Sequence, residues 1–287
     1  MPLVTLKEVL RESVAKKYAV GAFDAGEHGF VEAILTGAEE KGVPVILMIA
    51  EGFFGLVDMD KFMPYVLDRI SRSPVPVALH LDHGASYDVC IKAIHYGCSS
   101  VMIDGSSLPY EENVALVKKV VDVAHVCGIS VEAELGHVGG GEGNLKSGSA
   151  VDKSLYTQPE EAIRFVKETN VDALAVAIGT VHGVFQGTPE IDFELLKKLR
   201  ASVDIPLVLH GGTGLTEQDY RNVAKYGINK INFFTGISQA AVAAVKKEIE
   251  DKEGYLHYHD IVAAGLRKTK EVVKEQIEVF GTQPLGK

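Results

Sequence analysis

The sequence predicts an α/β fold, a single (β/α)₈ TIM barrel with an extra N-terminal helix before the barrel and a C-terminal helix after it. Eight short, continuously apolar segments alternate with longer amphipathic segments, and the apolar segments start 24 to 43 residues apart. One βα unit of a typical barrel takes roughly 30 residues. A doubly wound sheet is the main alternative. Eight units without a linker or a composition break favour the closed barrel, in one domain over residues 1–287.

The strands are predicted from continuous apolar runs, which are typical of parallel strands covered on both faces. These runs are residues 18–23, 44–50, 75–82, 99–104, 129–135, 172–178, 206–210 and 230–234. Residues 27–41 place apolar side chains at positions 30, 31, 34 and 35, a helical spacing. Similar patterns predict helices at 111–126, 158–168, 193–200 and 217–226, with the flanking helices at 5–17 and 260–280.

Composition and charge exclude several classes of protein. The formal net charge of −10 disfavours nucleic-acid binding, which needs a basic surface. The three cysteines form no CxxC pair, so a disulfide framework is not expected. The longest apolar runs have about seven residues, far short of the ~20 that a membrane-spanning helix needs. Charged residues interrupt the N-terminus early, which does not fit a signal peptide. We expect a cytoplasmic protein without nucleic-acid or membrane partners.

A glycine-rich segment follows the fifth strand, within the longest spacing between strands. It predicts a mobile active-site loop over about residues 137–157. Long loops of this kind in compact domains are usually lids or binding loops. A surface insertion without a function is the alternative.

Three histidines end three different predicted strands. His83, His182 and His210 are each followed by glycine. Active sites of TIM barrels lie at the C-terminal ends of the strands, so these side chains are expected to meet there. Three neutral imidazoles with an open fourth position form a catalytic zinc site. A single buried histidine is more often a core residue, and His80 is interpreted as core or as a residue behind the ligands.

Carboxylates accompany these histidines. Asp82 adjoins His83, where it could transfer a proton or orient a histidine ligand. Asp104 and Glu134 also stand at strand ends, where they could support the metal or bind it as alternate ligands, or serve as buried hydrogen-bonded groups. Glu142 lies in the glycine-rich loop, and it is either carried to the substrate by loop closure or a solvated charge.

A phosphate site is predicted from the turn after the seventh strand. Residues 211–214 read Gly-Gly-Thr-Gly and lead into a helix. Glycine turns expose backbone N–H donors, and phosphate sites after strands 7 and 8 are frequent in this fold. Asn232 and Thr235 add side-chain donors from the eighth strand.

Four segments together resemble one enzyme family. They read LHLDHG at residues 79–84, SVMIDGS at 100–106, VEAELG at 131–136 and LHGGTG at 209–214. On these motifs the chain resembles the class II, zinc-dependent fructose/tagatose-bisphosphate aldolases. The similarity covers residues 6–281.

The resemblance implies reversible retro-aldol cleavage of a phosphorylated ketose to dihydroxyacetone phosphate and an aldehyde, in carbohydrate metabolism such as glycolysis. It implies that Zn²⁺ is held by His83, His182 and His210. Asp82 is then the general acid that protonates the aldehyde oxygen in condensation. Glu142 matches a loop glutamate that exchanges the proton at the enediolate carbon.

The same resemblance implies a site for the C1 phosphate. Its residues are Gly183, Gly211, Thr213, Asn232 and Thr235, and many family members bind a monovalent cation, Na⁺ or K⁺, beside the phosphate. Family members are dimers or tetramers, so a homodimer or homotetramer is expected.

The chain departs from the family at four places. Asp24 replaces a usual asparagine, and residues 50–52 read Ala-Glu-Gly where serine and glycine are common. Ser238, three positions after Thr235, replaces a basic residue linked to the distal phosphate, and Gly143 replaces a second loop acid.

These departures favour an active site whose dihydroxyacetone phosphate half is intact and whose aldehyde half is altered. An aldolase for a ketose 1-phosphate is therefore the alternative, unless basic residues such as Arg267 or Lys268 compensate. Another zinc-dependent TIM-barrel hydrolase or epimerase, and a non-catalytic relative, are the remaining alternatives.

Overall fold

Eight parallel strands close into a barrel in chain order in the computed structural model, which describes residues 2–139, 153–183, 190–251 and 254–286. This architecture confirms the predicted (β/α)₈ TIM barrel. The strands are β1 (Val20–Asp24), β2 (Val45–Ala50), β3 (Val77–Gly84), β4 (Ser100–Ile103), β5 (Ser130–Leu135), β6 (Ala173–Val176), β7 (Leu207–Leu209) and β8 (Ile228–Asn232).

Both faces of the strands are buried, which explains why the apolar runs are continuous. In β2, Ile46 and Met48 pack inside the barrel, whereas Val45, Leu47 and Ile49 pack against the surrounding helices. Successive side chains of a strand point to opposite faces, so a strand between two apolar layers favours apolar residues at successive positions.

Eleven helices are present among the described residues. They are α1 (Leu6–Val9), α2 (Ser13–Lys16), α3 (His28–Lys41), α4 (Met59–Ser71), α5 (Tyr87–His95), α6 (Tyr110–Val126), α7 (Pro159–Thr169), α8 (Phe193–Ser202), α9 (Glu217–Tyr226), α10 (Thr235–Asp251) and α11 (Tyr258–Phe280). One-turn 3₁₀ helices lie at Glu51–Phe53 and Lys153–Leu155.

The predicted N-terminal helix over residues 5–17 consists of two short helices, α1 and α2. Thr5 and Glu8 form a capping box at the start of α1. The hydroxyl of Ser13 donates to the carbonyl oxygen of Leu10, an alternative to continued helical bonding. Leu6 and Leu10 join the cluster inside the barrel, so α1 covers one end of its interior.

Three helices, α4, α5 and α10, were not predicted from the sequence. In α4, the buried residues Met59, Phe62, Met63, Val66 and Ile70 recur at helical spacing, but Pro64 interrupts the pattern. α10 begins directly after β8 and packs along α11. No helix in the described part of the chain is long and apolar enough to span a bilayer.

Candidate active site

The three histidines predicted at strand ends lie together at the C-terminal end of the barrel. The ring centroid of His83 lies 4.9 Å from that of His182 and 4.6 Å from that of His210. The centroids of His182 and His210 are 5.7 Å apart. One ring nitrogen of each histidine lies within 4.8 Å of the others. Nε2 of His83 and Nδ1 of His210 are 2.8 Å apart.

The position of His83 depends on an irregular end of β3. The register between β3 and β4 shifts between Leu81 and Gly84, and His83 has a φ of +46°. Few residues other than glycine adopt this left-handed region without cost, and such outliers concentrate at functional sites. The bend turns two neighbouring polar side chains, those of Asp82 and His83, toward one centre, with Oδ2 of Asp82 lying 4.0 Å from Nε2 of His83.

The histidine cluster fits a divalent metal in its chemistry as well as in its geometry. Burial lowers the pKa of His182 to about 4, and the neighbouring charge of His83 adds to this effect. Burial also holds the pKa of His210 well below its usual range. Both rings are therefore neutral at pH 7 and can offer a lone pair to a metal such as zinc, whose usual ligands include imidazole.

Asp104 and Glu134 flank the histidines. Oδ2 of Asp104 lies 2.9 Å from Nδ1 of His83, and Oδ1 accepts a hydrogen bond from the backbone N–H of Ser106 at 3.0 Å. Burial by itself would raise the pKa of Asp104, but the hydrogen bond and charge of His83 hold it well below its usual range.

Glu134 has the opposite electrostatic environment. Burial raises the pKa of its carboxyl to about 8, and the charge of Asp104 adds to this effect. One oxygen accepts from the backbone N–H of Val138 at 3.1 Å, and the other lies 3.5 Å from Nδ1 of His210. Ligand atoms of His83, Asp104 and Glu134 lie within 4.8 Å of one another, so they form a second set that could hold a metal.

A small cavity beside the histidines brings together all of the predicted phosphate-binding residues. It is bordered by Gly183, Gly211, Thr213, Asn232 and Thr235, together with Asp24, Asp82 and His182. The buried carboxyl of Asp82 accepts a hydrogen bond from the Asn232 side-chain amide at 2.9 Å.

The backbone of this cavity is shaped for close approach. Gly211 has a φ of +63°, and a Cβ at this position would lie 2.3 Å from the carbonyl oxygen of Val181. Only glycine fits there. The 17-residue helix α10 begins at Thr235, so its N-terminal N–H groups and dipole face the same region.

A larger cavity of about 950 Å³ lies next to the small one, is lined by His83, and shares Gly183, Phe234 and Thr235 with it. Its described lining includes the aromatic pair Phe53 and Phe234, whose ring centroids are 5.4 Å apart. Ser238 lines it, and Lys246 is the one lysine or arginine among the lining residues. Glu51 accepts from the backbone N–H of Ala85 at 2.7 Å.

The basic residues suggested as compensation lie elsewhere. Arg267 and Lys268 border a groove between α10 and α11. Their side chains pair there with Glu248 and Glu271. Neither residue lines the larger cavity.

Part of the predicted active-site loop falls outside the described residues. The segment over residues 137–157 is described at 137–139 and at 153–157, and Glu142 and Gly143 lie outside the described part. At its start, Nδ1 of His137 lies 3.2 Å from the hydroxyl of Ser106. The backbone N–H of His182 donates to the carbonyl oxygen of Gly139 at 2.8 Å, which ties this segment to the histidine cluster.

Two charged residues behind the histidines were not identified from the sequence. Glu132 on β5 and Lys230 on β8 form a buried ion pair 2.8 Å long. Oε1 of Glu132 also lies 2.9 Å from Nε2 of His210. The signal that could have revealed them is a charged residue within a segment predicted to be a buried strand.

Comparisons with known proteins find a matching family and similar chains. The family model described as "Fructose-bisphosphate aldolase class-II" matches residues 4–284. A fructose-bisphosphate aldolase of Staphylococcus aureus (strain Mu50 / ATCC 700699) is 40% identical over 300 residues, covering 100% of both chains. A probable fructose-bisphosphate aldolase of Bacillus subtilis (strain 168) is 40% identical over 285 residues, covering 98% of this chain and 99% of the relative.

The fold is also similar to solved structures. The crystal structure of the YdjI aldolase from Escherichia coli K12 matches with a TM-score of 0.87 and 34% identity, covering 98% of both chains. A putative fructose-1,6-biphosphate aldolase from Coccidioides immitis matches with a TM-score of 0.83 and 25% identity, covering 95% of this chain and 94% of the other.

Proposed function

The chain belongs to the class II fructose-bisphosphate aldolase family and is an aldolase, and on this premise we propose that it is a zinc-dependent enzyme. It reversibly cleaves a phosphorylated ketose, of the fructose or tagatose 1,6-bisphosphate type, to dihydroxyacetone phosphate and an aldehyde. The observation that supports this most directly is the cluster of His83, His182 and His210 beside Asp82 and the glycine-rich cavity. Family membership favours an aldolase over a hydrolase, an epimerase or a non-catalytic relative.

The proposed metal ligands are His83, His182 and His210. Zinc at this position supplies a Lewis acid that stabilises the negative charge developing on the ketose oxygen. Asp104 orients His83 through its 2.9 Å contact with Nδ1. Glu134, beside His210, and Asp104 serve as supporting or alternate ligands.

Proton transfer is assigned to Asp82 and Glu142. In cleavage, Asp82 takes the proton of the C4 hydroxyl while the C3–C4 bond breaks and the aldehyde leaves. The electron pair of that bond remains with the dihydroxyacetone phosphate half, and a proton from Glu142 to C3 completes the reaction. In condensation, Asp82 returns its proton to the aldehyde oxygen. The hydrogen bond from Asn232 holds the Asp82 carboxyl in place for this transfer.

The C1 phosphate is proposed to bind in the small cavity, held by Gly183, Gly211, Thr213, Asn232 and Thr235. A Na⁺ or K⁺ ion beside it is part of the proposal. A dianionic phosphate next to the carboxyl groups of Asp24 and Asp82 concentrates negative charge, which a cation offsets.

A ketose 1-phosphate is the second candidate substrate. The larger cavity favours it, because Lys246 is the one lysine or arginine of its described lining and Ser238 offers no charge. A distal phosphate dianion bound without several charge-assisted hydrogen bonds is weakly held.

A coupled assay for dihydroxyacetone phosphate on zinc-loaded protein tests both candidates. The panel contains fructose and tagatose 1,6-bisphosphates and several ketose 1-phosphates, each with and without a chelator. Chelator-sensitive release from a bisphosphate supports the first candidate, and release from monophosphates alone supports the second. Absence of release from every ketose, with zinc bound, contradicts the proposed function.

The proposal extends to the organisation of the protein. We place it in the cytoplasm, in carbohydrate metabolism such as glycolysis, as one domain that assembles into a homodimer or homotetramer. Its partner is the phosphorylated sugar rather than a nucleic acid or a membrane. Light scattering coupled to size-exclusion chromatography measures the number of subunits, and a monomer at micromolar concentration contradicts the assembly.

A further inference from the structure

An ion pair lies inside the barrel, behind the three histidines. Lys230 of β8 contacts both carboxylate oxygens of Glu132 of β5, at 2.8 and 3.0 Å. Both side chains are 0% exposed. Ala173 is the register partner of Glu132 on β6, and Val20 is the register partner of Lys230 on β1; both belong to the apolar cluster inside the barrel.

Stability alone does not explain this pair. Moving two charges out of water costs several kcal/mol per ion, and apolar replacements of buried pairs are often neutral or stabilising. The pair therefore needs another reason, and the third contact of Glu132 supplies one. Its Oε1 lies 2.9 Å from Nε2 of His210, whose Nδ1 faces His83 at 2.8 Å.

We infer that the Glu132–Lys230 ion pair is the positioning element that sets the tautomer and orientation of His210. A carboxylate can only accept hydrogen bonds, so the proton of the neutral ring stands on Nε2. The lone pair of Nδ1 then points to the centre of the histidine cluster. Lys230 can only donate, and by occupying both oxygens it keeps the Glu132 carboxylate in the rotamer that faces His210.

His80 lies close to the pair. Its Nδ1 lies 2.8 Å from the hydroxyl of Ser100, and its Nε2 lies 3.6 Å from Oε2 of Glu132, beyond hydrogen-bond distance. Ser100 is fully buried, and its hydroxyl pairs with His80 rather than with Glu132 or His210. The variant Ser100→Ala is therefore a matched control for loss of a buried polar group in the same interior.

The informative variant is Glu132→Gln, which keeps the shape and changes the hydrogen bonding. Lys230 takes the single amide oxygen, so the NH₂ group faces Nε2 of His210 and the ring proton moves to Nδ1. We expect the Kd for Zn²⁺, measured by competition with a chelator, to rise roughly 10- to 100-fold. For Ser100→Ala we expect the Kd for Zn²⁺ to stay within about threefold of the wild-type value. That is smaller than the roughly 10- to 100-fold change expected when a residue that supports a metal ligand is lost.

A second substitution tests the tautomer rather than the packing. In the double variant Glu132→Gln/Lys230→Met, the amide oxygen has no competing donor and can turn to His210. We expect this variant to bind Zn²⁺ at least tenfold more tightly than Glu132→Gln, a rescue that packing damage would not produce. A double variant as weak as Glu132→Gln, or a Glu132→Gln variant with unchanged affinity, overturns the inference.

The wild-type protein supplies a direct measurement of the tautomer, in which a variant serves only to assign the signal. With ¹⁵N-labelled histidine, the metal-free chain is expected to show His210 protonated at Nε2 and unprotonated at Nδ1, with the signal assigned by its loss in His210→Gln. The opposite tautomer overturns the inference. This role rests on the proposed metal site. If the wild-type chain has no affinity for Zn²⁺, both the proposed metal site and this inference are overturned. If the wild type binds Zn²⁺ and Glu132→Gln binds it with the same Kd, this inference alone is overturned.

Discussion

The side-chain amide of Asn232, at the end of β8, donates to Oδ1 of Asp82, at the end of β3, across 2.9 Å. The two residues are 150 positions apart in the chain. The bond leaves Oδ2 of Asp82 on the side of His83, 4.0 Å from its Nε2. Asp82 is thus the carboxyl group that joins the histidine cluster to the cavity proposed for the phosphate.

Replacement of Asp82 by asparagine is expected to abolish most of the activity. The amide cannot accept and return the C4 hydroxyl proton, and general acid–base groups typically contribute 10²- to 10⁴-fold. We expect kcat to fall by roughly that factor while zinc content stays at the wild-type level. Asp88→Asn, on the exposed first turn of α5, is the control and is expected to leave kcat unchanged. If the kcat of Asp82→Asn stays within threefold of the wild-type value, Asp82 is not the general acid–base group.

Removal of the metal is expected to abolish activity and to lower thermal stability. A ligand that binds only the folded state at 100 times its Kd adds about 2.7 kcal/mol. At the typical unfolding entropy per residue, a chain of this length then rises in Tm by roughly 4 to 5 °C on adding zinc. Differential scanning calorimetry with and without a chelator measures the shift. His182→Gln should lose the zinc-dependent shift, whereas His95→Gln, on the exposed side of α5, should keep it.

The stability of the metal-free protein is expected to fall in acid because of His182. Burial lowers the pKa of this residue from its usual 6.5 to about 4. Below pH 6.5 His182 therefore binds a proton in the unfolded chain, whereas in the folded chain it stays neutral until about pH 4. The free energy of unfolding loses about 1.4 kcal/mol per pH unit from this group in that window, and nothing above it.

Urea unfolding at several pH values separates this effect from other titrations. The difference in unfolding free energy between the wild type and His182→Gln should shrink by about 2 kcal/mol from pH 6.5 to pH 5. The difference between the wild type and His95→Gln should stay constant. A pH-independent difference for His182→Gln would show that the ring is not held neutral.

Introducing a cation at Ser238 is expected to change substrate preference. Ser238 lines the larger cavity near Thr235, and a lysine there would place a positive charge where a distal phosphate is proposed to lie. For Ser238→Lys we expect kcat/KM for fructose 1,6-bisphosphate to rise about tenfold relative to a ketose 1-phosphate, since a charge-assisted hydrogen bond contributes about 1.5–3 kcal/mol. Ser238→Ala, which adds no charge, should leave the ratio unchanged. An unchanged ratio in both variants places the distal group elsewhere.

The barrel and the positions of its histidines could be predicted from the sequence. A strand buried on both faces tends to be apolar at successive positions, and residues 44–50 show this pattern without any tertiary information. Once the strands are known, topology places the residues after them at one end of the barrel, so His83, His182 and His210 had to be neighbours. The helix α4 escaped prediction because Pro64 obscured an otherwise regular apolar spacing.

The pairing of side chains inside the barrel was decided only by the tertiary structure. Glu132 and Lys230 are 98 residues apart, and their contact depends on the register and inward orientation of β5 and β8. The same holds for the bend at His83, which follows from a register shift between two strands. Local sequence determines which groups are polar and which elements form. The partner of a buried charge depends on closure of the whole barrel, because distance, burial and hydrogen-bond direction exist only after that closure.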